Sequence, residues 1–175
     1  LITLLDKITG HIDKAAGNYV RAVFIDYSSA FNTINPSILI QKMVKKGVHN
    51  NIICWTYNFL TMRSQRVKTN GQKSTTISTS TSSPQVCVLS PRLFSLYVED
   101  MPVSVNFIII KYADDTVLLE FLTAKQPSAL QPEINKLKRW CDDNSLAINA
   151  TKTKEVIFSN KETTHPQLPS ALEIT

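Results

Sequence analysis

Residues 107–121 read Phe107-Ile-Ile-Ile-Lys-Tyr112-Ala-Asp-Asp115-Thr-Val-Leu-Leu-Glu-Phe121, and the fold turns on them. Two apolar runs, 107–112 and 116–121, flank a pair of aspartates, the pattern of a β-hairpin with acids at its tip. A turn shaped only for stability favours Asn-Gly or Asp-Gly, because both positions tolerate positive φ. Asp114 and Asp115 repel each other and suit such a turn less well. Their proximity becomes favourable when a divalent cation neutralises them. A solvated turn that happens to be acidic explains this segment about equally well on its own.

A second acid ends a second apolar run, Arg21-Ala-Val-Phe-Ile-Asp26, read as a buried strand. Alone, Asp26 is explained as a cap for the turn at Ser28-Ser29. Taken together, two strands deliver three carboxylates from their ends. Hard oxygen donors of this kind suit Mg²⁺, which keeps waters and substrate phosphates in its other positions. Two ions about 4 Å apart activate an attacking hydroxyl and stabilise a leaving pyrophosphate.

The rest of the chain alternates helical and extended patterns without regular βαβ order, which predicts an α+β fold. Helical spacing runs over 2–16, with Ile2, Leu5, Ile8 and Ile12 as its apolar stripe. Asn35-Pro36 predicts a capped helix start with Gly47 as its stop, and a second helix covers Asn51 to about Met62. Asn70-Gly71 predicts a hairpin, and the Ser/Thr-rich stretch Thr75–Ser83 a loop or edge strand. Ser90-Pro91 repeats the cap-then-proline pattern and opens a helix through Tyr97. A helix over 132–144 has Ile134, Leu137, Trp140 and Cys141 on one face, followed by short strands at 146–149 and 155–158. Residues from Asn160 onward, with Pro166 and Pro169, read as a poorly ordered tail.

Composition sets bounds on function. At 175 residues, 43% hydrophobic and 19% charged, the chain suits one globular domain. The formal charge of +5 is a modest excess that fits a polyanionic partner or a plain soluble surface. With the three aspartates set aside as ligands, eleven acids face 19 bases. Cys54, Cys87 and Cys141 lie far apart, without a zinc-ligand spacing, and read as reduced core thiols of an intracellular protein. Nucleus and cytoplasm are not distinguished. No apolar run approaches the roughly 20 residues of a membrane span, so no membrane partner is expected.

Four segments in order carry a specific resemblance. Asp26-Tyr-Ser-Ser-Ala30-Phe31 resembles motif A of reverse transcriptases. Ser83-Pro84-Gln85 with Leu89-Ser90-Pro91-Arg92 resembles motif B, and Tyr112-Ala-Asp-Asp115 motif C. Trp140-Cys-Asp-Asp-Asn144 with Asn149-Ala-Thr-Lys152-Thr-Lys154 resembles the motif D region of LINE-type elements. The chain is thereby identified as similar to the reverse transcriptase domain of non-long-terminal-repeat, jockey-like retrotransposons. The resemblance implies a polymerase palm-like antiparallel sheet backed by helices over 1–160, with fingers partial and thumb absent, and a tail over 161–175. It implies RNA-directed DNA polymerisation with two Mg²⁺ ions (Mn²⁺ as substitute), an RNA template, a DNA primer and deoxynucleoside triphosphates.

Roles follow position by position. Asp26 and Asp114 match the principal metal ligands and Asp115 the second acid of the pair. Phe31 matches the aromatic gate against a ribose 2′-hydroxyl, while Gln85 and Tyr112 match nucleotide contacts. Lys152, rather than Lys154, matches the lysine that donates a proton toward pyrophosphate. Core packing explains Phe31 as well, local backbone bonding explains Gln85, and a solvated surface explains the lysines.

Three positions depart from the pattern. Ser82 and Val86 stand where motif B has glycines, and a β-branched residue resists positive φ. Arg92 stands where an apolar residue on a buried helix is usual, and a fully buried guanidinium is costly. With fingers strands expected upstream of Leu1 and a thumb beyond Thr175, the isolated chain is expected to lack primer extension. The rival reading is therefore a catalytically dead palm remnant with at most weak nucleic-acid binding. A palm-bearing polymerase that makes RNA is a second rival, opposed by Phe31 and Ala113.

Overall fold

The computed structural model describes residues 2–61, 63–79, 83–84, 87–124 and 126–160. In chain order the elements are α1 (Ile2–Ile12), β1 (Tyr19–Ile25), α2 (Pro36–Lys45), α3 (Asn50–Leu60), β2 (Arg63–Gln65), β3 (Lys68–Thr69) and β4 (Gln72–Lys73). They continue with β5 (Ile77–Thr79), α4 (Leu89–Tyr97), β6 (Phe107–Tyr112), β7 (Asp115–Leu122), α5 (Leu130–Asp143) and β8 (Lys154–Ser159). The fold is α+β, an antiparallel sheet with helices, as the sequence predicts. The chain divides into two compact units. One comprises Leu1–Ser28, Met101–Asp143 and Ala147–Thr175; the other comprises Ser29–Asp100 and Asn144–Leu146.

The first unit is built on a sheet of order β6-β7-β1-β8, every neighbouring pair antiparallel. On one face α1 sets Leu4 and Ile8 against Val20, Ala22 and Leu119, with Phe24, Ile108 and Phe121 half-buried around them. Side chains alternate along a strand, so Arg21 and Glu120, cross-strand partners, point to the other face. There they meet the residues that lead into α5: Arg21 donates to the Ser128 hydroxyl at 2.5 Å, and Glu120 accepts from the Ala129 N–H at 2.6 Å. α5 buries Leu130, Ile134, Leu137 and Cys141, while Trp140 stays half-exposed.

Two expectations for this unit need correction. α1 ends at Ile12 rather than 16, because Asn18 donates its side-chain amide to the His11 carbonyl at 2.9 Å, an acceptor a further helical turn would use. Ile2 and Leu5 of the expected stripe are exposed. The strand expected at 146–149 is a single bridge between Tyr27 and Ile148. Its ladder stops because the N–H groups of Lys152 and Thr153 turn back onto the Asn149 carbonyl.

In the second unit α2 starts as read: the Asn35 side chain accepts from the Ser37 N–H at 3.0 Å, with Pro36 in the first turn. Asn70 and Gly71, at φ 46 and 78, close the β3–β4 hairpin, and β5 pairs with β2. The core gathers Ile34, Leu39, Ile53, Leu60, Phe94 and Tyr97. Lys42 is buried, donating to the Tyr97 carbonyl and to Asp100, both at 2.6 Å. Ser90 is not the cap of α4. It sits inside the helix, buried, its hydroxyl bonded to the Pro84 carbonyl and within 2.6 Å of the Ser83 hydroxyl. Arg92 is exposed, so the cost of burying its guanidinium does not arise.

Of the cysteines, Cys141 is buried as expected, whereas Cys87 is intermediate and Cys54 exposed. α3 buries Ile53, Thr56 and Leu60, a stripe that leaves Cys54 on the outer side. Among the described residues no helix is long and apolar enough to cross a membrane.

Candidate active site

The β1–β7 ladder ends at Ile25 opposite Thr116. One step further in the same register aligns Asp26 with Asp115, the first residue of β7. Partners in an antiparallel pair project to the same face, about 4.5–5.5 Å apart at Cβ. Tyr112 and Asp115 are the last pair of the β6–β7 hairpin, so its two-residue turn is Ala113-Asp114. The positive φ of this turn, 52°, falls on Ala113 and on neither aspartate. A left-handed L-residue costs roughly 1–2 kcal/mol that glycine would avoid. The acidic tip is thus held by a backbone less stable than the alternative its fold allows.

Asp26 is fixed through its backbone. Its N–H donates to the Thr153 hydroxyl at 3.3 Å, and its carbonyl accepts from the Asn149 N–H at 2.8 Å. Those two residues bracket the turn that carries Lys152, so the lysine's loop is tied to the backbone of Asp26. Lys152 itself is exposed, as are Asp114, Asp115 and Tyr112, the last at 82%. Beside Asp26 the buried Tyr27 hydroxyl donates to Thr116 Oγ1 at 3.2 Å, and burial raises its phenol well above the ordinary range. Tyr27 therefore stays neutral and clamps the ends of β1 and β7 together.

No hydrogen bond or ion pair engages the carboxylates of Asp26, Asp114 or Asp115 among the described residues. A half-buried carboxylate without a compensating donor is unfavourable, and hard, partner-free oxygens are what a divalent cation takes. The donor set fits Mg²⁺ in this respect. Among the described residues no group of three or more His, Cys, Asp or Glu stands together to hold an ion. Mg²⁺ is commonly held by one or two carboxylates plus waters and substrate phosphates, so three protein ligands are not required.

In the second unit, Phe31 lies in a 3₁₀ turn, Ala30–Asn32, entered through Ser29 at φ 55. Its half-buried ring packs on Phe94 with centroids 5.5 Å apart, and its carbonyl accepts from the Ser83 N–H at 2.8 Å. The segments resembling motifs A and B are joined there. Gln85, Ser82 and Val86 lie outside the described residues.

Sequence reading missed the residues that support the site. Thr153 and Asn149 hold the Asp26 backbone, and only their place in the motif D resemblance marked them. The set of buried Arg21 and Glu120 with half-buried Glu155 and Ser128 was likewise unmarked, although charged residues inside apolar strand runs are a signal of buried pairing.

The antiparallel sheet backed by helices is of the polymerase palm-like class. The family profile for reverse transcriptase (RNA-dependent DNA polymerase) matches residues 3–168, nearly the whole chain, and the chain belongs to that family. It is 29% identical over 156 residues to the RNA-directed DNA polymerase from mobile element jockey of Drosophila melanogaster, covering 82% of this chain and 17% of that protein. It is also 29% identical to the probable RNA-directed DNA polymerase from transposon BS of the same organism, over 95% of this chain and 20% of the relative. The chain thus spans a fifth or less of the length of these relatives. Among solved structures it resembles Candida tropicalis telomerase in complex with a telomeric RNA fragment, with a TM-score of 0.65 at 12% identity. That match covers 89% of this chain and 29% of the telomerase, and at such identity it establishes the fold alone.

Proposed function

We propose that residues 1–160 are the palm, with part of the fingers, of an RNA-directed DNA polymerase of the non-long-terminal-repeat retrotransposon type, working inside the cell. The observation that carries this reading is the alignment of Asp26 with Asp115 beyond the last β1–β7 pair, with none of the three carboxylates hydrogen-bonded or ion-paired among the described residues. Asp26 and Asp114 are the principal metal ligands, with Asp115 as the second acid of the pair. Bound Mg²⁺, or Mn²⁺ in its place, supplies the charge that acidifies a primer 3′-hydroxyl and stabilises the pyrophosphate leaving group. Lys152, on the turn tied to Asp26, supplies a proton toward that leaving group. Phe31 rejects a 2′-hydroxyl by contact under the sugar, while Tyr112 and Gln85 touch the nucleotide. The partners are an RNA template, a DNA primer and deoxynucleoside triphosphates.

A second reading, an inactive palm remnant, is favoured by Ser82 and Val86 at the glycine positions of motif B. Primer extension on an RNA template by a longer protein containing this chain decides between them. Mg²⁺-dependent extension abolished by Asp114→Ala supports the polymerase, and Phe31→Ala should then raise ribonucleotide incorporation. Extension that is absent in the parent and appears on Val86→Gly supports the remnant.

A further inference from the structure

The chain's positive charge is concentrated in one unit. No Asp or Glu occurs between Asp26 and Glu99. The unit of Ser29–Asp100 and Asn144–Leu146 holds eight lysines and arginines against two acids, a net +6 out of the chain's +5, so the other unit is net −1. Both acids are already paired, Asp100 with Lys42 at 2.6 Å and Glu99 with Lys46 at 2.7 Å. The segment from β2 to β5, residues 63–79, carries no acid of its own.

Within it the β3–β4 hairpin pairs Lys68 directly with Lys73. Like charges directly opposite destabilise a strand pair, and neither lysine, nor Arg66, has a hydrogen-bond or ion-pair partner among the described residues. All three are exposed. The Ser74 N–H bonds to the Val67 carbonyl at 2.9 Å, extending the pairing past β3. Arg66 lies two residues before Lys68, within about 7 Å of it along the chain. The tight Asn70-Gly71 turn holds this charge arrangement in place. On α3, just before the hairpin, Trp55 is 56% exposed and stacked on Phe59, with centroids 5.5 Å apart and planes 14° from parallel. A repulsive cationic ribbon is stabilised by an anion, and an exposed flat aromatic face offers a base a surface to stack on; these are the two kinds of contact that bind a nucleic-acid strand.

We propose that the β3–β4 hairpin is a phosphate-backbone grip for a nucleic-acid strand, with Arg66, Lys68 and Lys73 as its cations and Trp55 as a stacking platform. The choice of nucleic acid over another polyanion rests on the polymerase reading above and on that aromatic pair. Binding here needs no divalent ion and carries no base specificity.

The test is fluorescence anisotropy of a labelled single-stranded RNA with the full chain, in a monovalent-salt series without divalent ions. Two lost phosphate contacts make the log–log salt slope shallower by about 1.4, which is on the order of 25-fold in affinity at 0.1 M salt. Lys68→Gln/Lys73→Gln should show that loss. Lys68→Glu should weaken RNA binding while the melting temperature holds or rises, because it converts a repulsive pair into an attractive one. A merely structural hairpin gives no such opposition. RNA affinity and slope unchanged in the folded double variant, or no RNA binding by the parent chain, overturns the proposal. So does tighter, lysine-dependent binding to phosphatidylserine vesicles or to a polyglutamate peptide than to RNA. Failure of the metal site would appear in divalent-ion binding instead, so the two claims fail separately.

Discussion

Ile25 and Thr116 form the last pair of the β1–β7 ladder, and the residues that continue it outward on the two strands are Asp26 and Asp115. Apolar pairing along β1 and β7 thus fixes where the Asp26 and Asp115 carboxylates stand, while among the described residues these carboxylates make no hydrogen bond or ion pair. Asp26→Asn or Asp115→Asn, in a longer protein that extends primers, should therefore cost roughly 4 kcal/mol of transition-state stabilisation, about a thousandfold in rate. The melting temperature should hold or rise, since like-charge repulsion is relieved. A large fall in melting temperature for either variant would assign these acids to folding.

Gly17 connects α1 to β1 at φ +89, and a Cβ built there would lie 2.9 Å from the Ala124 Cβ. Backbone strain and the clash add, so Gly17→Ala should destabilise by about 1–3 kcal/mol. The denaturant midpoint measures it, and an unchanged midpoint would contradict the close approach.

Arg21 is almost fully buried, with Glu155 at 2.5 Å and the Ser128 hydroxyl linking it to Glu120. Removing one partner of a buried ionic set leaves the others uncompensated, so Arg21→Ala should cost about 3–5 kcal/mol in urea unfolding. A cost below about 1 kcal/mol would mean that the set is solvated in solution.

The strands were legible because their apolar runs have the right length and period: Phe107–Tyr112 is the observed β6, and β7 exceeds the read range by one residue at each end. Asn35-Pro36 and Asn70-Gly71 were legible because each encodes a local conformation. Ser90 misled because the same Ser-Pro pattern serves a cap or, as here, a buried hydroxyl satisfied by distant Pro84 and Ser83. Sequence holds no local signal for that choice. The same applies to Asp26: its acid was visible, but the Thr153 and Asn149 contacts that fix it come from more than 120 residues away. The charge asymmetry behind the β3–β4 proposal lies in plain view in the sequence, yet its meaning depends on Lys68 facing Lys73.

The three thiols should separate chemically. Burial pushes the Cys141 thiol up to about 12, whereas the Ser90 hydroxyl bonded to Cys87 lowers that thiol. A maleimide at neutral pH should label Cys87 fastest, then the exposed Cys54, and Cys141 only after denaturation. Cys141 also makes folding sensitive to alkali. The unfolded thiol ionises near 9 while the folded one keeps its proton to about 12, so its contribution is full below pH 9 and falls as pH rises toward 12. Rapid labelling of native Cys141 would contradict its burial.

The central claim is that Asp26, Asp114 and Asp115 form a divalent-metal site at the end of the sheet. Substoichiometric Mn²⁺ added to the isotope-labelled chain reports this directly, by paramagnetic broadening of individual amide resonances. The account predicts that the amides of Asp26 and of 113–116 broaden first, and that Asp26→Asn or Asp114→Asn abolishes the effect while Asp115→Asn weakens it. Broadening centred on another acidic segment, such as Asp142 and Asp143, or left intact in the Asp26→Asn and Asp115→Asn variants, would contradict it.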